Sequence, residues 1–256
     1  MSILESATAA QEKTPLIMTI CGDAGSGKTS LAATFPAPFI IRTQGEAVPR
    51  DVDPVPGLPA IGGKMVEMNG KKVWDEGELF DQLKALLRDP HNYETLIIDS
   101  VTGLEDLFVH AVVEQDPKNP KSVVQAAGGY GAGRAAVKAK HNRVKKAAEM
   151  LRDKRGMNVV FIAHVEIDRM DPPDGDAYSR YNLQLHKESA PVYVNNVDVV
   201  GFLKQERFVD EEQKARTSDG RILSVAMTPA NVSKNRLGID RDLTVTKGEN
   251  PFKEYI

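Results

Sequence analysis

Eight consecutive residues, Gly22-Asp23-Ala24-Gly25-Ser26-Gly27-Lys28-Thr29, place two glycines, a lysine and a hydroxyl at the spacing a phosphate cradle requires. Backbone N–H groups around the glycines can turn inward onto a chain of phosphates. Lys28 supplies a point charge for the β- and γ-phosphates, and Thr29 a hydroxyl for the magnesium ion that bridges them. Ser30 continues into a helix whose positive end faces the same anion. The segment predicts a site for a nucleoside triphosphate with Mg2+. Asp99 has the type and place to act with it, closing the apolar run Leu96-Ile97-Ile98. A carboxylate at the end of a buried strand can anchor magnesium's water shell; the plainer role is to cap, with Ser100, the helix that starts at Val101. His164 closes Phe161-Ile162-Ala163 in the same way and can sense a γ-phosphate, or serve as a satisfied structural histidine. Lys234 and Arg236, one residue apart on an extended segment, point to one side. Such a pair can reach the γ-phosphate of a neighbouring subunit, or form a solvated basic turn.

These groups need a scaffold, and the chain alternates strand and helix patterns throughout. Leu16–Cys21 reads as the buried strand leading into the glycine loop, and Ser30–Phe35 as the helix leaving it before Pro36. Phe39–Thr43, Thr95–Asp99 and Asn158–His164 read as further core strands. Helices are expected over 76–89, from Val101 to Gln115, and from Arg134 to Arg155 ahead of Gly156. Asn69-Gly70 between Lys64–Met68 and Lys71–Trp74 marks a hairpin. Leu183 and Leu185, Val197–Leu203 and Ile222–Met227 supply later strands. Glycine, proline and aspartate make mobile loops the expectation for 116–134 and 168–180. The whole reads as an α/β layered domain over 15–256, behind a flexible tail at 1–14.

Composition narrows the function classes. The 256 residues carry 33 basic and 36 acidic side chains, net −3, so the chain is no globally basic nucleic-acid binder. A single cysteine, Cys21, rules out an internal disulfide and suits a reducing cytoplasm. No run approaches the ~20 apolar residues of a membrane span, and the opening residues lack a signal-peptide pattern. A cytoplasmic protein with no membrane partner is expected.

Taken together, the glycine loop, Asp99-Ser100-Val101, Phe-Ile-Ala-His and Lys234-Asn235-Arg236-Leu237-Gly238 resemble the RecA-like recombinase and hexameric-helicase branch of P-loop ATPases. The layout is most similar to the phage-encoded, Sak-type single-strand annealing proteins, over roughly Pro15 to Gly238. The resemblance implies a RecA-like P-loop core: a mostly parallel sheet with helices on both faces and a small β-hairpin insertion. It implies ATP as the nucleotide, with the whole loop Gly22–Ser30 around it, and catalytic roles for Lys28, Asp99, His164, Lys234 and Arg236. It implies oligomeric rings or filaments, single-stranded DNA as substrate for annealing or strand exchange, and a single-strand binding protein as partner. One departure bears on catalysis. The family's second strand is followed by a glutamate that polarises the attacking water, and its direct match here is Gln44, in Arg42-Thr43-Gln44-Gly45-Glu46. Either Glu46 enters the site instead or hydrolysis is slow, and slow hydrolysis is the expectation. For DNA contact the candidates are Tyr130, set among glycines beside Arg134, and Lys138, Arg143 and Lys145 on the long basic helix. A charge-rich solvated face is the bland account of that helix. Two other functions fit the phosphate loop: a small P-loop kinase, or a nucleotide-gated scaffold without a DNA role. No Asn-Lys-x-Asp signature for guanine is present.

Overall fold

The computed structural model describes residues 14–50, 52–173, 175–209 and 215–256. All of the expected N-terminal tail except Thr14 lies outside them. Strand β1 (Ile17–Cys21) is apolar but for Thr19, and every residue in it is buried. That is the signature of a strand covered on both faces. It runs parallel to β6 (Asn158–Ala163) on one side and to β9 (Val199–Val209) on the other. Beyond β6 lie β5 (Thr95–Asp99) and β2 (Pro38–Arg42), both parallel. Beyond β9 the sheet turns antiparallel through β10 (Ala215–Ser224) to β12 (Leu243–Val245), with β11 (Lys234–Asn235) pairing the start of β9. The expected α/β architecture with a mostly parallel sheet is therefore present.

One face of the sheet is covered by α2 (Gly77–Arg88), α3 (Val101–Glu114) and α4 (Ala132–Arg155). The apolar stripe expected on α4 is the one used: Val137, Val144, Ala148 and Leu151 are all buried, and Gly156 ends the helix in the left-handed region at φ 65°. The opposite face carries less helix than expected. Its cover is the short α1 (Lys28–Ala32) together with the C-terminal chain, where Phe252 packs 6.0 Å from Phe35.

Two expected loops have structure. Around Asn69-Gly70 the predicted hairpin forms, as β3 (Met65–Met68) and β4 (Lys71–Trp74). The stretch expected to be loop at 168–180 is strand at both ends, where β7 (Val165–Met170) pairs β8 (Tyr178–Leu183), and its middle is the connection between them. Asp168 is a cross-strand partner rather than a loop signal, whereas Asp171 and Asp176 do fall in the connection between the strands. Asp168 sits opposite Arg180 and accepts a hydrogen bond from Asn182 at 2.8 Å. The loop expected at 116–134 is also packed. Val123 and Ala126 are buried, and the Asp116 carboxylate accepts from the backbone N–H groups of Lys118 and Ala127.

Cys21 ends β1 fully buried, which pushes its thiol up to about 12 against the pull of the nearby Lys28 charge. It is expected to resist iodoacetamide at mildly alkaline pH under conditions that label it fully in denaturant. Equal labelling of native and denatured protein would overturn the two-sided burial of β1.

Candidate functional site

Parallel strands share one carboxyl edge, and the chain leaves β1, β2, β5 and β6 on that edge. The strand order sharpens the sequence picture. Asp99's strand is not the neighbour of the glycine-loop strand; β6 lies between them. The residue following β6 is therefore placed between the two nucleotide motifs, and that residue is His164.

After Cys21 the chain turns through the glycine loop. Gly22 passes so close to the Leu203 carbonyl that any Cβ would collide with backbone. Gly27 takes φ 97°, a conformation side chains rarely adopt. Ser26 is buried, and its hydroxyl has no hydrogen-bond partner among the described residues. Asp23, Ala24 and Gly25 form the exposed rim of the loop. Helix α1 is only five residues long, so its dipole is a smaller contribution than the sequence suggested, and the turned backbone N–H groups carry more of the anion site. Lys28 is 6% exposed, with its ammonium on the Gly22 carbonyl at 2.9 Å and the Asp23 carbonyl at 2.8 Å. Burial lowers its pKa, opposed by the charges of Asp99 and Glu46.

The Thr29 hydroxyl donates to Asp99 Oδ2 at 2.7 Å, so the two expected magnesium residues are in contact. A hydroxyl and one carboxylate make a partial oxygen donor set, which suits an ion that keeps waters and shares phosphate oxygens. Among the described residues no cluster of three or more His, Cys, Asp or Glu offers a closed metal cage. Magnesium therefore fits this pair only together with a bound phosphate chain. Burial raises the Asp99 carboxyl to about 6; the Thr29 hydrogen bond opposes that rise and the neighbouring Glu46 charge adds to it.

Gln44 and Glu46 separate cleanly. Gln44 is exposed and lies along Gly62 and Gly63. Glu46 turns into the site: its Oε1 accepts from Ser100 Oγ at 2.9 Å and lies 3.1 Å from His164 Nε2. The hydrogen bond from His164 holds its carboxyl below the ordinary range against the cost of burial, with Ser100 helping. The other ring nitrogen of His164 is 3.5 Å from the Lys28 ammonium. His164 thus bridges the lysine of the phosphate loop and the carboxylate after β2.

Three residues not counted among the expected site residues hold this arrangement. Ser100 caps α3 by accepting from Gly103 N at 3.0 Å while donating to Glu46. The capping role was readable in the sequence; the Glu46 contact was not. Thr43 Oγ1 accepts from Ser100 N at 3.3 Å, and Thr102 Oγ1 accepts from His164 N at 2.9 Å. The Asp99–Ser100 peptide between these contacts is cis.

Lys234 and Arg236 lie elsewhere. Strand β11 pairs β9 at Val199–Val200, level with Met18–Thr19, and Arg236 N donates to the Asp198 carbonyl. That is the amino side of the sheet, away from the chain's own glycine loop. The two cations converge there as their spacing predicts: Lys234 Nζ donates to the Val194 and Asn195 carbonyls, and Arg236 Nη2 is 3.5 Å from the Asn195 carbonyl.

The expected nucleic-acid residues divide. Tyr130 is fully exposed in a left-handed turn at φ 50°, and Lys138 is exposed. Arg134 instead turns inward to Glu105 at 3.4 Å, so it does not form a unit with Tyr130. Arg143 remains on the surface but pairs with Glu76 at 3.3 Å and stacks over Phe80 at 3.9 Å. Lys145 is a correction. It is buried, with its ammonium on the Asn196 carbonyl at 2.7 Å, because its position on α4 faces the segment after Tyr193. Among the described residues no helix is long and apolar enough to cross a membrane.

The AAA domain family profile matches residues 14–237. A search of curated proteins finds no match. Among solved structures, the crystal structure of the RadB recombinase superposes with a TM-score of 0.45 at 14% identity, covering 82% of this chain and 80% of that one.

Proposed function

The chain belongs to the AAA domain family, and from that premise we propose that it is a magnesium-dependent, RecA-like ATPase that acts on single-stranded DNA as an oligomer. The observation that carries the ATPase half is the position of Glu46, an ionised carboxylate held by Ser100 and His164 on the edge that also carries Lys28, Thr29 and Asp99. Lys28 binds the β- and γ-phosphates, and the glycine-loop N–H groups hold the phosphate chain. Glu46 takes the proton of the water that attacks the γ-phosphorus, and the electrons of the broken P–O bond leave with the β-phosphate oxygen. His164 fixes the Glu46 carboxylate and reports to Lys28, so the presence of a γ-phosphate and the orientation of the base are linked. Magnesium, when bound, offsets phosphate charge, and Thr29 and Asp99 are the residues that would hold it. With Glu46 as the base, turnover would exceed the slow hydrolysis expected from Gln44, and the measured rate decides between the two.

What supports assembly is the position of Lys234 and Arg236. Both lie on the amino side of the sheet, away from their own glycine loop, and the role we give them is to reach a phosphate site on another copy of the chain. Arg236→Ala is expected to lower turnover of the assembled protein by about a thousandfold, as loss of a trans-acting arginine does. Full activity in the assembled state would remove Arg236 from that role.

What supports single-stranded DNA is exposed Tyr130 with Lys138, and exposed Arg169 on the β7–β8 hairpin. Annealing or strand exchange, together with a single-strand binding protein, is the activity this reading implies. The test is ATP turnover with and without single-stranded DNA, beside DNA retention across salt. DNA-stimulated turnover that Lys28→Ala abolishes supports the proposal. No retention even at low salt, where phosphate contacts are strongest, sinks the DNA half. Turnover that appears only with a small phosphate acceptor puts a kinase in its place.

A further inference from the structure

A cavity of about 430 Å³ adjoins the glycine loop, and apart from Gly27 and Ser30 its lining lies outside the motifs read from the sequence. Its walls come from three separate parts of the chain. Gly27, Leu31 and Thr34 belong to the loop and α1, Asp53 to the excursion after β2, and Arg221 to β10, while residues 245–249 close it from the C-terminal side. Its size falls within the range of small-molecule sites. Gly27 is both part of the phosphate loop and part of the cavity wall, so the cavity abuts the loop directly.

Arg221 stands at the junction. A Cβ placed on Gly27 would fall 2.5 Å from Arg221 Nη1 and 2.8 Å from its Cζ, so the guanidinium lies directly over that glycine. Among the described residues no carboxylate is within ion-pair distance of it. A planar cation with no carboxylate at ion-pair distance among the described residues, set between an anion site and a cavity lined by apolar side chains, Asp53, Glu249 and Lys247, is suited to the face of an aromatic base. Leu31 and Val245 offer apolar surface for the ring, and Asp53 and Glu249 offer acceptors for ribose hydroxyls or an exocyclic amino group.

We propose that this cavity receives the base and ribose of the nucleotide, and that Arg221 is the residue that selects a nucleoside triphosphate over a bare phosphate chain. The inference rests on the phosphate-binding reading of Gly22–Thr29 and adds to it a site built partly from 245–249, beyond the span that the family profile matches.

The experiment is calorimetry of magnesium-ATP and of inorganic tripolyphosphate with wild type and Arg221→Ala, joined to photolabelling with 8-azido-ATP. Wild type is expected to hold ATP at least about tenfold more tightly than tripolyphosphate. Arg221→Ala is expected to lose most of that preference while binding tripolyphosphate within about twofold of wild type, which also shows that the variant is folded. The photolabel is expected on peptides containing 30–34 or 245–249. A preference kept in Arg221→Ala, equal loss of both probes in that variant, or label confined to other peptides overturns the assignment while leaving the phosphate site standing. Failure of wild type to bind either probe overturns the phosphate reading and this subsite with it.

Discussion

Glu46→Gln is expected to cut steady-state ATP turnover by about a hundredfold to ten-thousandfold, the usual contribution of a positioned general base. ATP affinity should stay within about threefold of wild type, since an amide of the same shape leaves the phosphate loop untouched. The expectation follows from two contacts and the effect of one of them on the carboxyl. Ser100 donates to Glu46 at 2.9 Å, His164 lies 3.1 Å away, and the His164 hydrogen bond keeps the carboxyl below its ordinary range and so ionised. A glutamine retains an acceptor for Ser100 but cannot take a proton. Gln44→Ala is the matched control, with turnover expected unchanged, because Gln44 lies along Gly62 and Gly63. Single-turnover and steady-state hydrolysis, measured beside nucleotide binding, would decide. Turnover of Glu46→Gln within about threefold of wild type, or a large loss in Gln44→Ala, would return the base to position 44 or to no residue of this chain.

His141→Ala is expected to lower folding stability by about 3–5 kcal/mol, through a cavity and two broken buried hydrogen bonds. His141 is wholly buried between α3, α4 and the turn that ends at Tyr193. Its ring meets Phe108 edge-on at 4.9 Å and Tyr193 edge-on at 5.4 Å. Burial works against the Glu105 charge, yet the hydrogen bonds from His141 and Ser189 prevail and its carboxyl sits below the ordinary range. As a carboxylate it can only accept, so His141 Nε2 carries the hydrogen of the 3.0 Å bond to Glu105. Burial raises the Tyr193 hydroxyl well above its ordinary value, so it stays protonated and donates to Nδ1 at 2.7 Å. Alanine at 141 would strand both partners. Urea denaturation would measure the loss, and a change below about 1 kcal/mol at unchanged m-value would show that the three groups are not coupled as described. The network also bears on the site, because the Tyr193 carbonyl accepts from Thr19 in β1 at 2.6 Å, two residues before the end of the strand that leads into the glycine loop.

The parts legible in the sequence are those whose chemistry is local. The glycine loop needs its residue types at fixed spacing whatever surrounds it, so Gly22–Thr29 could be read directly. The core strands β1, β5 and β6 were legible because a strand buried on both faces must be apolar throughout, and α4 because its apolar stripe repeats at the helical period. Local reading failed where residues of turn-forming type were serving cross-strand partners. Asp168 on the β7–β8 hairpin looked like loop because its partners Arg180 and Asn182 are twelve and fourteen residues away.

The sequence by itself thus determined the glycine loop with Lys28 and Thr29, and the parallel core. Only the tertiary structure decided which carboxylate faces the lysine. Position 44 is the direct match to a strand-end glutamate, yet the backbone after β2 turns so that position 46 meets Ser100 and His164 instead. The insertion of β6 between β1 and β5 likewise made His164 the bridge between Lys28 and Glu46, and long-range packing alone took Lys145 off the surface and brought Arg221 over Gly27. In each case the deciding partner lies more than fifty residues away in the chain, where neither spacing nor periodicity carries information.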